Sequence, residues 1–155
     1  MAGTSNYSNM LAQVAVILRA VSGIGEVHTA QRLSRDWAQF ISQFTKDGVL
    51  NGWTISRRAA SETYLTNRES ERRHSFVIRG FYGVQDDDVQ HSEETFQDLV
   101  EAVCDAFRAD YDLNGACEMH GPIQVRVVDY RMFGGVFCHY AELEVAAQEL
   151  LDTGA

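Results

Sequence analysis

The last third of the chain alternates between two kinds of side chain. Over residues 136–147, Phe137, His139, Ala141, Leu143 and Val145 share one face, while Cys138, Tyr140, Glu142 and Glu144 share the other. A period of two over this length specifies a strand with unlike faces. Just before it, residues 123–130 (IQVRVVDY) form a second β-branched run. Gly134-Gly135 lies between the two, and glycines suit a hairpin turn because both tolerate positive φ. Two strands joined in this way are antiparallel, so the chain is committed to an antiparallel sheet with at least one face to bury.

Helices supply the cover. Met10, Leu11, Val14, Ile17, Leu18 and Val21 form one apolar stripe at helical spacing, with Ser8 or Asn9 as cap and Ser22-Gly23 with Gly25 as stop. Trp37, Phe40, Ile41 and Phe44 repeat at the same spacing after Ser34, and Lys46-Asp47-Gly48 closes that expected helix. Phe96, Leu99, Val100, Val103 and Phe107 mark a third, with Ser92 as its cap, Glu93 and Glu94 in its first turn and Asn114-Gly115 beyond its end. Its outer face carries Gln97, Asp98, Glu101, Asp105 and Arg108. Residues 26–30 read as a short strand, and residues 52–57 and 75–82 as further strands. The polar stretch between the last two, roughly 59–74, reads as either two extended arms or a mobile loop. The expected fold is α+β, a mostly antiparallel sheet flanked by helices in the order α-β-α-β-β-α-β-β. One domain is expected over residues 1–155, with flexible ends at about 1–8 and 151–155.

Composition narrows the function. The chain has 155 residues, 45% of them hydrophobic and 23% charged, which fits a globular core rather than disorder. No apolar run approaches the ~20 residues needed to cross a bilayer, and no signal peptide is visible, so a cytoplasmic protein is expected. Cys104, Cys117 and Cys138 lack framework spacing, as reduced thiols do. The net charge of −9 argues against a surface that grips nucleic acid. It suits a wall past which DNA slides.

The sequence offers no constellation for catalysis. Gly23-Ile24-Gly25 follows a helix and lacks the remaining glycines of a nucleotide loop. Cys117-Glu118-Met119-His120 has zinc-like spacing, but Cys138 and His139 point to opposite faces of a strand and Cys104 sits beside an apolar stripe. Asp86-Asp87-Asp88 lacks the ligand spacing of a calcium loop and reads as a solvated turn before a helix. No serine sits on a nucleophile elbow, the five histidines are scattered, and His139 reads as a core residue. Neither an enzyme nor a cofactor is expected. The charge that stands out is Arg57, Arg58, Arg68, Arg72 and Arg73, interleaved with Glu62, Glu69 and Glu71. With Tyr64, these arginines make a candidate subunit interface, facing Glu101 and Asp105 of a neighbour's helix.

Several segments together resemble bacteriophage tail terminator and tail completion proteins. They are Gly52-Trp53-Thr54-Ile55, then residues 74–82 (HSFVIRGFY), an acidic turn before an amphipathic helix, Pro122-Ile123-Gln124-Val125, Phe133-Gly134-Gly135-Val136, Cys138-His139-Tyr140-Ala141-Glu142 and Gln148-Glu149. The resemblance spans about residues 10–150. It implies a small α/β protein that forms a homo-hexameric ring on the head-proximal end of the tail tube, within the virion and assembled in the host cytoplasm. It further implies tail tube protein as a partner, sheath and neck or connector proteins as possible neighbours, DNA passing through the lumen without specific binding, and no membrane contact. The nearest rivals are a head–tail adaptor or other neck component, a small metal-dependent enzyme and a ligand-binding module. Charge reversal at Arg72 and Arg73 is expected to weaken assembly.

Overall fold

The computed structural model describes residues 6–29, 45–46, 49–84, 88–133 and 135–152. Helix α1 covers Asn6–Arg19 and α2 covers Val89–Arg108. The strands are β1 (Glu26–His28), β2 (Thr45–Lys46), β3 (Val49–Tyr64), β4 (Glu69–Gly83), β5 (Met119–His120), β6 (Gln124–Phe133) and β7 (Val136–Asp152). The fold is α+β. The sheet runs β1-β3-β4-β7-β5, with β2 added to β3 and β6 to β7, and every pairing is antiparallel except β1 with β3.

One face of the sheet meets both helices. Met10, Val14 and Leu18 of α1 and Phe96, Val100, Val103 and Phe107 of α2 pack with Trp53, Ile55, Phe76, Ile78, Leu143 and Val145 of the central strands. The alternation of β7 is borne out over its middle: Ala141, Leu143, Val145 and Ala147 are buried, whereas Glu142 and Glu144 are half-buried. Cys138 and Tyr140 close a smaller cluster on the opposite face with Leu50 and Phe81. Gly80 lies opposite Trp53 in the β3–β4 register, where a Cβ would come within 2.5 Å of the indole. Glycine is thus what lets the ring lie flat on β4.

Several boundaries differ from expectation. Helix α1 begins at Asn6 and β7 continues through Asp152, so both extend into stretches expected to be flexible. The cap of α2 is Asp88, whose carboxylate accepts from the His91 amide at 3.1 Å; Ser92 lies inside the first turn, buried, and Glu93 and Glu94 follow it. Thr45–Lys46, at the expected stop of the second helix, is a short strand that pairs with Val49 and Leu50. Trp37, Phe40, Ile41 and Phe44, like Asp86 and Asp87, lie outside the described residues. Strand β5 has no counterpart in the sequence reading, because two residues are too short to show a period.

Candidate functional site

The polar stretch of residues 59–74 forms two extended arms. All eight residues from Arg57 to Tyr64 are exposed, and β4 and β7 run alongside in unbroken register as far as the Glu69–Asp152 pair. The result is a three-stranded arm, about 26 Å long at ~3.3 Å per residue.

Arg58 is the extra residue of a bulge in β3, since Arg57 pairs with Phe76 and Ala59 with Ser75. The bulge turns its guanidinium to the outer face, 3.7 Å from Glu142 and 3.6 Å from Glu144. Arg126 reaches Glu144 at 3.7 Å and Arg79 reaches Glu142 at 4.0 Å, so these two carboxylates are shared among three arginines.

The inner face carries a tighter network where the arm leaves the core. Arg57 lies over the Tyr7 ring at 4.3 Å and donates to His74 Nδ1 at 3.4 Å. A guanidinium only donates, so Nδ1 accepts and the opposite nitrogen carries the proton. That Nε2–H donates to Glu149 at 2.8 Å, and Asn6 donates to the other carboxylate oxygen at 2.6 Å. His74 and Glu149 are both buried. Arg72 grips Glu62 through two bonds of 2.8 and 3.1 Å and stands 4.0 Å from Glu149. Arg73 pairs with Glu71 at 2.6 Å, and this bond, with one to Gln148, holds the Glu71 carboxyl below the usual range.

At the tip the Thr66 hydroxyl accepts from the Arg68 and Glu69 amides. Tyr64 is 73% exposed and Leu65 51%. Among the described residues no acid meets the Arg68 side chain. On α2, Asp105 bonds Arg108 at 2.6 Å and Glu101 is exposed without an ion pair among the described residues. Six of the eight predicted interface residues therefore share one arm, and Glu101 and Asp105 lie apart on α2. Arg57, Arg58, Arg72 and Arg73 are engaged within their own chain. Tyr64, Arg68 and Glu101 are the members left facing outward.

A scan against protein-family models finds no match for the chain, and a search of curated proteins finds none.

The remaining polar groups of the interior brace the helices. The Ser92 hydroxyl donates to the Val89 carbonyl at 3.0 Å and shares a hydrogen bond of 2.8 Å with His139 Nε2. The second of these bonds joins α2 to β7. Burial lowers the His139 pKa, opposed by the nearby Glu93. His120 caps the other end of α2: Nε2 lies 2.8 Å from the carbonyls of Phe107 and Asp110, and Nδ1 lies 2.7 Å from that of Gly121. Acceptors left over at the helix end are satisfied in this way. Cys138 and His139 do point to opposite faces, and among the described residues no three His, Cys, Asp or Glu side chains converge on a metal position.

Beside His120 lies a groove that the sequence reading missed. It runs between the second half of α2 and residues 119–123, holds about 440 Å³, and is lined by Cys104, Arg108, Tyr111, Met119, Pro122 and Ile123 among others. Its only sequence signal is a cluster of apolar residues with no period between a helix and a strand. Near it, the Cys117 thiol is pushed up to about 11, chiefly by burial and then by Asp112. At pH 7 it holds about a hundredfold less thiolate than a thiol at the ordinary 9.0. Alkylation of the native protein by iodoacetamide should therefore be slow at neutral pH and accelerate up to about pH 11, whereas denaturant should expose three fast thiols at once; fast labelling of Cys117 at pH 7 would contradict the burial described.

Proposed function

We propose that this chain is a structural subunit of a phage tail, a terminator that caps the tail tube as a ring of six copies and offers the neck its docking surface. The observation that carries this reading is the pairing of unlike patches on one subunit: a stiff arm with an exposed aromatic tip, and at a separate place the acidic face of α2. Unlike patches support head-to-tail contacts, which give rings when the rotation between copies closes. Segments that resemble tail terminators, residues 52–55, 74–82, 138–142 and 148–149, lie on β3, β4 and β7, the strands that continue into this arm. A ring of copies each carrying −9 would also present an acidic lumen along which DNA moves without adhering.

The purified chain should form rings, alone or on tubes of its cognate tail tube protein, and should shorten those tubes when present during their assembly. Negative-stain imaging measures both. Tubes of unchanged length with bare ends would overturn the terminator reading. Rings that ignore the tube but bind portal or head-completion protein would move the chain to the neck.

A further inference from the structure

The groove beside His120 and the tip of the arm are both exposed and apolar, and they differ in the charge around them. Tyr64 and Leu65 form an apolar knob, with Arg68 beside them as a cation that meets no acid of its own chain among the described residues. The groove, about 440 Å³, is of ordinary pocket size and largely apolar. Its surroundings are acidic on balance: Glu101 acts on the Cys104 thiol in its wall, Arg108 in the lining is paired with Asp105 at 2.6 Å, and Asp110, Asp112 and Glu118 act on Cys117 behind it. We infer that the tip of one copy docks in the groove of the next, Tyr64 and Leu65 entering between α2 and Met119 while Arg68 meets the acidic rim.

The occupant must be a second copy, because a tip cannot reach its own groove. Met119 pairs with Gln148, Gln148 with Arg73 and Arg73 with Ser61, so β7 and β4 stand between. The tip lies about 14 Å away across the strands and about 10 Å further along them. This contact rests on the ring reading and supplies its interface. It also moves the charge contact from Arg72 and Arg73, which reverse only at the expense of the arm's own ion pairs, to Arg68.

The test uses the full chain. A Leu65→Cys variant carrying a benzophenone is mixed with isotope-labelled wild-type copies and irradiated; native thiols are buried or slow, so the probe stays at the tip. Cross-links are expected to the labelled chain within residues 104–123. The exposed double variant Tyr64→Ala, Leu65→Ala and the single variant Arg68→Glu should remain folded by circular dichroism and each weaken self-association about tenfold or more. Cross-links elsewhere, or unchanged association, in a protein that still forms rings would overturn the docking and leave the ring. A wild-type chain that stays monomeric at all concentrations and on tubes would overturn both.

Discussion

The Trp53→Ala variant is expected to lose about 4 kcal/mol of stability, a fall of about 8–16 °C in Tm for a chain of this size. Among the described residues Trp53 is the largest fully buried side chain, and it packs on Phe96 of α2 at a centroid distance of 6.0 Å. Its indole N–H donates to Asn51 Oδ1 at 3.0 Å, and Asn51 Nδ2 donates to the Gly23 carbonyl at 2.9 Å. One side chain thereby joins the sheet, α2 and the turn after α1. Removing it opens a large cavity and leaves a buried amide oxygen without its donor. A partner experiment isolates the contact with β4. Gly80→Ala puts a methyl group against the indole and should cost about 1–3 kcal/mol by overpacking, yet much less when Trp53→Leu has already removed the ring. Thermal denaturation of the four proteins measures this coupling; equal costs in both backgrounds would show that the ring does not lie on Gly80.

The second large effect lies at the root of the arm. His74→Ala should cost about 3 kcal/mol, because it leaves the buried Glu149 carboxylate with only Asn6 in bonding reach and Arg72 at 4.0 Å. The loss should be local as well as global. Tyr7 stacks on His74 at 6.5 Å and on Phe76 at 6.0 Å, so α1 is seated on the same network. Hydrogen exchange should accelerate in the first turn of α1 and in residues 57–64, with little change in α2. Glu149→Gln keeps an acceptor for the imidazole and should cost less than His74→Ala. Equal exchange rates in variant and wild type would mean that the network does not hold the arm.

How much of this was legible beforehand depends on the kind of signal involved. The stripe of α2 and the alternation of β7 are local regularities, and the sequence reading found both with their buried faces. The choice between extended arms and a loop over residues 59–74 was not local. Those residues are polar on both faces, and what makes them strands is the ladder to β7, 73 residues later at the His74–Ala147 pair. For the same reason the arginines looked available for a neighbour. Their partners Glu142, Glu144 and Glu149 come from β7, and proximity in sequence pointed only to Glu62 and Glu71. The N-cap of α2 was misplaced because Asp88 and Ser92 are both good caps, and only the bond to the His91 amide decides between them. The groove beside His120 depends on how a helix end meets a two-residue strand, a relation that no periodicity expresses.

Strands β4 and β7 pass from the hydrophobic interior to the tip with no shift of register between them. The arm is consequently a lever and not a tether. A load applied at Tyr64 is delivered through that ladder to Phe76 and Val145, without a joint between β4 and β7 to absorb it; of the three strands of the arm, β3 is the one with a kink that can yield. Whatever receives the tip must accept the angle at which this beam leaves the body.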